Sequence, residues 1–405
     1  PNEMLSLFNT AVNFLSEVCG ATIVLCSATQ PCLEQTAHPI TENMKDIVPF
    51  DEELWRVFRR TQIIDKGGMR LDAIPAFIAE QLDRTDSLLV ICNLKKQAAY
   101  LFTEMKLENT VIFHLSAGMC MAHRMTVISE INSALERKRK NPDAPKVVCI
   151  STQVIEAGVD VSFGCVIRLC AGLDSVIQAA GRCNRNGELN GAADVFIINC
   201  RGEDLGMLRS IKDGKMACMS LLSDCKYHPE KYPSGLTSDE AVYAYYKKLY
   251  IQSDIGAQDM PIKIDGSPFT LFDLLSLDRT FANAPYLKAN GEKYALTQAF
   301  KTAGSRFTVF GSRTTDVIVP YGEGKEIIAE LGSKRAEEDI KYLKKLIKKA
   351  RAYTVSLYEN QRRALADSGA LHPIADGIAL ALSEEFYNED FGLNLDGESR
   401  EAITL

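Results

Sequence analysis

The feature that most constrains the fold is a regular alternation of short apolar runs and amphipathic segments between residues 71 and 198. Apolar runs lie at 87–92, 111–114, 146–151, 165–169 and 193–198. Segments with helical spacing of their apolar residues separate them, at 72–83, 94–106, 122–138 and 174–184. Strands that are apolar throughout are buried on both faces, as in a parallel sheet covered by helices. We therefore expect an α/β fold.

The regions on either side differ from this pattern. Residues 5–18 have helical spacing and 21–26 form a continuous apolar run, which predicts one helix and one strand of another α/β unit. Residues 204–290 combine two helical segments with a stretch rich in Gly and Pro. The sequence thus predicts four regions: 1–62, a remnant of a first α/β domain; 63–203, a second and complete one; 204–290, a linker; and 291–405, a small α+β accessory domain.

Composition limits the function classes. Hydrophobic residues make up 46% and charged residues 24% of the 405 residues, as in a globular domain, and no apolar run could span a bilayer. The start has no signal-peptide pattern and reads as a chain cut within a domain. The 12 cysteines form no Cys-x-x-Cys pair and the 5 histidines are scattered, so we expect reduced thiols, a cytoplasmic protein and no metal site. A net charge of -7 still permits a locally basic groove for nucleic acid.

The most specific motif is the stretch from Gln178 to Gly187, which places Arg182 and Arg185 directly after Gly181. On a helix, a three-residue spacing puts both guanidinium groups on one face. There they could meet the charge that develops on a transferring γ-phosphoryl group, as an arginine finger does. Glycine at 181 would let the backbone approach the nucleotide closely.

A second motif follows the apolar run 146–151 and leads into a glycine turn. We predict that Gly158 allows close approach to a nucleotide and that Asp160 binds a ribose hydroxyl, although Asp160 could instead cap a turn. The hydroxyl groups of Ser151 and Thr152 could hold a nucleic-acid phosphate. Asn93, at the end of another apolar run, could contact a phosphate at a helix N-terminus or simply cap that helix.

The order of these motifs carries a resemblance. Ser27-Ala-Thr29, then Glu-x-Gly-x-Asp, then Gln-x-x-Gly-Arg-x-x-Arg resembles the order in superfamily 2 helicases, whose domains are RecA-like. The stretch 170–187, with Asn184 beside Arg185, is similar to the CRISPR-associated helicase-nuclease of type I interference systems. The segments 316–326 and 387–393 are also similar to the tail of that family in one subtype, so the resemblance covers nearly the whole chain.

The resemblance implies an ATP-dependent helicase that moves 3'-to-5' on single-stranded DNA after an RNA-guided surveillance complex has opened the target. ATP with Mg²⁺ would lie between two RecA-like domains, sensed by Arg182 and Arg185. Ser27 and Thr29 would couple nucleotide state to DNA grip, and Ser116 would lie near the DNA track. A packed structural role is the alternative for the segment that carries Ser116.

Two parts of a complete motor are not found in the sequence. A phosphate loop of the form Gly-x-x-x-x-Gly-Lys-Ser/Thr is absent, since Gly324-Lys325 is followed by Glu326 and lacks the first glycine. The pair Asp51-Glu52 follows Ser27-Ala-Thr29, the wrong side for the Mg²⁺-binding motif of this family. We expect the Mg²⁺ ligands and the nuclease in absent N-terminal domains, present in cis or in trans, and expect this chain alone not to hydrolyse ATP. The alternatives are a separately encoded, non-catalytic subunit and a different superfamily 2 translocase.

Overall fold

A computed structural model gives the architecture of residues 2–41, 45–48, 59–156, 158–206, 208–252, 258–264, 266–276, 298–308 and 314–395. The chain divides into two compact units. The first comprises Pro1–Glu52, Gly172–Asp174 and Leu208–Gly311, and the second comprises Glu53–Ala171, Ser175–Met207 and Ser312–Leu405. The domain boundaries read from the sequence remain predictions.

The helices and strands of the described residues alternate through most of the chain. The α-helices are α1 (Leu5–Asn13), α2 (Ile74–Leu82), α3 (Lys95–Glu104), α4 (Met121–Lys140), α5 (Leu173–Ala180), α6 (Arg209–Tyr227), α7 (Asp239–Gln252), α8 (Leu271–Leu275), α9 (Phe300–Arg306), α10 (Gly324–Leu331), α11 (Lys334–Glu338), α12 (Ile340–Ala350) and α13 (Glu359–Asp367). The strands are β1 (Thr61–Arg70), β2 (Ser87–Ile91), β3 (Thr110–Leu115), β4 (Lys146–Ser151), β5 (Cys165–Leu169), β6 (Ala193–Arg201), β7 (Pro261–Ile264), β8 (Ser267–Thr270), β9 (Thr314–Ile318), β10 (Thr354–Tyr358), β11 (Leu371–Ile374), β12 (Ala379–Leu382), β13 (Tyr387–Asn388) and β14 (Gly392–Leu393).

The second unit is built on a six-stranded sheet in the order β1-β6-β5-β2-β4-β3. All its strand pairs are parallel. Every residue of β2 and β5 is buried, because helices cover both faces of the sheet. The predicted α/β class with a parallel sheet is therefore confirmed.

Each face of the sheet has its own core. On one face, Leu89, Val147 and Val166 pack with side chains of α4 such as Ile131. On the other, the neighbouring residues of the same strands pack with α2 and α3. Since side chains alternate along a strand, an apolar run without polar interruptions is needed to fill both layers.

The edge strand β1 was not predicted. Its sequence, Thr-Gln-Ile-Ile-Asp-Lys-Gly-Gly-Met-Arg, has no continuous apolar run, and few of its side chains are well covered. It pairs in parallel with β6, and the register shifts between Asp65 and Gly68. A strand at the edge of a sheet needs little apolar surface, so apolar patterning did not reveal it.

The C-terminal part of the second unit carries a four-stranded sheet in the order β10-β9-β12-β11. Val317, Val355 and Leu357 from this sheet pack with Cys120, which immediately precedes α4. A second cluster joins Ile318 to α10 and α12. The segment 334–350 forms two helices, because Asp339 ends α11 and its carboxylate caps α12 by accepting from the Lys341 and Tyr342 N–H groups.

The first unit contains the helix pair α6 and α7 and a small cluster around Met260, Leu271 and Ala303. The strand predicted at 21–26 is wrong: these residues belong to no strand, and Val24 is 62% exposed. A single apolar run forms a strand only when another strand accepts its backbone hydrogen bonds, and none of the described residues pairs with it. No helix in the described part of the chain is long and apolar enough to cross a membrane.

Candidate functional site

The candidate site lies at the carboxyl ends of the parallel strands, where open α/β sheets bind ligands. Thr152 directly follows β4, and the chain then forms a short 3-10 helix before the turn at Gly158. The segment of Arg182 follows α5. These two motifs are separated along the chain by β5 and α5, and they contact each other in the folded chain.

The arginines do not lie on a helix, which corrects the sequence prediction. Helix α5 ends at Ala180 rather than at residue 184. The backbone then runs beside Phe163, whose N–H donates to the Arg182 carbonyl and whose carbonyl accepts from the Asn184 N–H. This pairing turns the chain away from the helix axis, so the three-residue spacing does not define a helix face here.

Asn184 fixes this turn. Its φ of 46° lies in the left-handed region, which asparagine adopts more readily than other residues with a side chain. The buried amide donates to the carbonyls of Arg60 and Gly191 and accepts from the Leu189 N–H. Glycine would accept the backbone conformation but could not make these bonds, which gives a physical reason for asparagine beside Arg185.

Arg182 binds the turn that precedes Gly158. Its Nε donates to the Ile155 carbonyl at 2.9 Å and its Nη2 to the Glu156 carbonyl at 2.6 Å. The residue is 7% exposed, and burial, with the charge of nearby Arg185, lowers the pKa of the guanidinium. Arg182 therefore joins the two predicted motifs directly.

Arg185 makes the second connection between the motifs. Its Nε lies 2.9 Å from the Asp160 carboxylate and its Nη1 donates to the Gly181 carbonyl. The Asp160 side chain is 87% exposed, so this ion pair lies at the surface. The predicted ribose ligand and the predicted phosphate sensor are thus paired with each other.

The remaining predicted nucleotide residues surround this pair. Gly158 has a φ of +72°, and a methyl group built on it would meet no atom, so backbone conformation rather than crowding requires glycine there. Gln178 is half-buried on the last turn of α5, and Gly181 is exposed. A Cβ at Gly181 would lie 3.3 Å from the Gln178 carbonyl oxygen, which a small shift could relieve.

The predicted nucleic-acid residues are all buried. The Ser151 hydroxyl lies 2.8 Å from the Thr152 carbonyl oxygen and 3.0 Å from that of Leu115, and can donate to either, whereas the Ser116 hydroxyl accepts from the Gly118 N–H. The Thr152 hydroxyl is buried without a hydrogen-bond partner among the described residues. Thr152 is therefore the member of this group whose side chain has an unused hydrogen-bonding capacity.

Asn93 belongs to a buried polar network that the sequence did not reveal. Its amide donates to the Cys170 carbonyl and to Glu203, and its oxygen accepts from Arg168 at 2.7 Å. Arg168 lies within β5 and is completely buried. Its Nε forms an ion pair of 2.8 Å with Glu156. The available signal was a single arginine inside an apolar strand run, since such a charge is buried only with a partner.

The predicted coupling residues lie in the first unit. Ser27 is exposed, whereas the Thr29 hydroxyl is buried and lies 2.9 Å from the Tyr246 hydroxyl. Asp51 and Glu52 lie outside the described residues. Within the described residues, no group of three or more His, Cys, Asp or Glu side chains could hold a metal ion.

Comparison with known proteins identifies the segment that contains both motifs. Residues 84–188 match the family model described as CRISPR-associated nuclease/helicase Cas3, C-terminal. The Cas3 of Haloferax volcanii is 66% identical over 41 residues, which cover 10% of this chain and 4% of that protein. The Cas3 of Methanothermobacter thermautotrophicus is 24% identical over 208 residues, which cover 45% of this chain and 22% of that protein.

Solved structures also match. A structure described as T. fusca Cas3-ATP has a TM-score of 0.46 at 12% identity and covers 91% of this chain and 40% of that one. Another, described as a CRISPR-associated protein, has a TM-score of 0.44 at 14% identity and covers 76% of this chain and 36% of that one. The matched regions span less than a quarter of the two curated relatives. The segment 84–188 is therefore similar to the C-terminal part of CRISPR Cas3-type helicases, which supports the resemblance read from the motifs.

Proposed function

We propose that this chain supplies the arginine-bearing half of an ATP site and part of the DNA track of an ATP-dependent single-stranded DNA translocase in type I CRISPR interference. The observation that carries the proposal is the direct connection between the two motifs. Arg182 binds the carbonyls of Ile155 and Glu156, and Arg185 pairs with Asp160. A nucleotide bound at the surface of these residues would therefore affect both motifs together.

The geometry fits a nucleotide. Arg182 Nη1 has no hydrogen-bond partner among the described residues, while its other two nitrogens anchor it to the turn. A donor held in place by the rest of its guanidinium group loses little side-chain freedom when it meets a phosphate oxygen. Arg185 is 39% exposed and can exchange its carboxylate partner for a phosphate. ATP would supply the γ-phosphoryl group, whose developing charge such donors stabilise.

The nucleic-acid part of the proposal rests on Thr152. A buried hydroxyl without a partner is costly, and a phosphate oxygen would satisfy it. Ser151 is the last residue of β4, directly before Thr152, and Asn93 and Ser116 lie buried just after β2 and β3 of the same sheet. We propose that these three side chains fix the conformation of the loops at this edge of the sheet. Backbone N–H groups of the same loops would then be further donors to phosphate.

The wider context is also proposed. The partners are single-stranded DNA, an RNA-guided surveillance complex and N-terminal helicase and nuclease domains that carry the phosphate loop and the Mg²⁺ ligands. The place of action is the cytoplasm. Ser27 and Thr29 transmit nucleotide state, and the chain without the phosphate loop does not hydrolyse ATP.

The test is reconstitution of ATPase activity. The chain is mixed with an N-terminal Cas3 fragment that carries the phosphate loop, and ATP hydrolysis is measured with and without single-stranded DNA. We expect activity only in the mixture, reduced by a factor of about 10³ when Arg185 is changed to alanine, which removes a phosphate donor. Changing the exposed Arg363 of α13, which pairs with Glu359, to alanine should have no effect. DNA-stimulated hydrolysis by the chain alone, or full activity of the Arg185→Ala mixture, would contradict the proposal.

A further inference from the structure

Arg168 lies at the centre of the buried network and contacts three segments that end at the same edge of the sheet. Its Nη1 donates to Asn93 Oδ1 at 2.7 Å, directly after β2. Its Nη2 donates to the Ser175 hydroxyl at 3.0 Å, in the first turn of α5. Its Nε pairs with Glu156 Oε1 at 2.8 Å, in the turn after β4. One guanidinium group therefore sets the distances between three loops.

The contacts of Glu156 extend this arrangement to the arginine motif. Its carboxylate is bound by Arg168 and accepts from the Ser175 hydroxyl at 2.8 Å. Its backbone carbonyl accepts from Arg182. Arg168 thus holds the side chain of Glu156, and Arg182 holds its backbone carbonyl. The side chain and the backbone carbonyl of Glu156 therefore connect Arg168 to Arg182 through one residue.

Asn93, one of the predicted nucleic-acid residues, belongs to the same network. Because its oxygen accepts from Arg168 while its nitrogen donates to Glu203 and to the Cys170 carbonyl, the amide has a fixed orientation. Gln97, on the first turn of α3, donates to the same Glu203. The loop that opens α3 therefore shares hydrogen bonds with the segment that holds Arg182.

We propose that Arg168 is a positioning residue that couples the loop of Asn93 to the arginine-bearing turn, so that nucleic acid bound at one changes the placement of Arg182 at the other. This inference rests on the proposed function. A buried charge with fixed partners suits this role, since its hydrogen bonds cannot be exchanged for water and a shift of one partner is passed to the others. Arg168 is completely buried, so it acts through its neighbours Glu156, Ser175 and Asn93.

The variants separate positioning from folding. Arg168→Met alone leaves the Glu156 carboxylate buried without its main partner and is expected to lower the melting temperature. The double variant Arg168→Met, Glu156→Met removes both charges and replaces them with apolar side chains, a change that often leaves stability near that of the original pair. Arg168→Lys keeps the charge but loses the planar fork that reaches three partners. Arg363→Met, at an exposed arginine of α13 in the same unit, is the control.

The first measurement is hydrogen exchange of the chain itself, followed in peptides that contain positions 156 and 184, whose N–H groups donate to the carbonyls of Gln153 and Phe163. We expect exchange of these peptides to be about tenfold faster in the double variant and in Arg168→Lys than in the unchanged chain, while peptides from β2 and β4 keep their protection. The control should exchange like the unchanged chain. Unchanged exchange of both peptides in a folded double variant would overturn the proposal.

The second measurement is the ratio of ATPase activity with DNA to activity without DNA in the reconstituted mixture. We expect the ratio to fall about tenfold in the double variant. Asn93→Ala should lower the ratio similarly and cause no further loss when combined with the double variant, because both act through one network. If the unchanged chain shows no stimulated activity, the proposed function fails. If the unchanged chain is stimulated and the double variant equally so, only the inference about Arg168 fails.

Discussion

At the scale of single residues, the molecule uses two arginines of the same motif for different physical tasks. Arg182 is buried and donates to backbone carbonyls, whereas Arg185 is partly exposed and pairs with a surface carboxylate. A charged donor to a buried carbonyl contributes more to stability than an exposed ion pair, because water cannot replace it. The motif therefore combines an anchor with a residue that remains available for a ligand.

This division of tasks predicts different stabilities for the two alanine variants. Arg182→Ala leaves the Ile155 and Glu156 carbonyls without their donors and should lower the free energy of unfolding by about 1–3 kcal/mol. Arg185→Ala breaks a pair in which Asp160 is largely exposed and should change it by about 1 kcal/mol or less. Urea denaturation monitored by circular dichroism measures both. Equal destabilisation by the two variants would contradict the assignment.

At the scale of elements, the sequence predicted the central strands and helices because each must fill a layer of the core. Strands β4 and β5 begin and end where their apolar runs do. The sequence did not predict the end of α5, since the bridge between Phe163 and Cys183 is a long-range contact that overrides helical spacing. It also missed Arg168 in the candidate site, because a pattern of apolar residues does not show which buried charge finds a partner.

One junction between elements gives a pH prediction. His114, in β3, packs against the rings of Phe102 in α3 and Phe391 in the turn before β14, which also contact each other. Burial lowers its pKa to about 4, although Asp390 acts in the opposite direction and His123 in the same one. Because the unfolded chain binds the proton near pH 6.5 and the folded chain only near pH 4, stability should decrease as pH falls through this window.

The variant His114→Phe tests this prediction. Between pH 7.5 and pH 5, the unchanged chain should lose about 2 kcal/mol more of its free energy of unfolding than the variant, which has no imidazole to protonate. Urea denaturation at the two pH values gives both differences. The same pH dependence in both proteins would show that His114 is not the group responsible.

At the scale of the whole molecule, the cysteines report on separate parts of the chain. Cys19 and Cys26 are exposed, whereas Cys120, Cys149 and Cys218 are buried. Cys149 lies in the six-stranded sheet, Cys120 packs with the C-terminal sheet, and Cys218 lies in the first unit. Since a buried thiol reacts only after its surroundings open, each thiol measures the stability of its own region.

Thiol labelling in urea should therefore resolve how the chain divides. Under native conditions we expect an alkylating reagent to modify Cys19 and Cys26 first, because their thiols meet solvent. With increasing urea, Cys120 and Cys149 should become reactive at the same concentration, because residues 312–405 belong to the same compact unit as the six-stranded sheet. Cys218 can become reactive at a different urea concentration, because it belongs to the other unit. Mass spectrometry of labelled peptides identifies each site, and labelling of Cys120 at a clearly lower urea concentration than Cys149 would show that the C-terminal sheet opens independently.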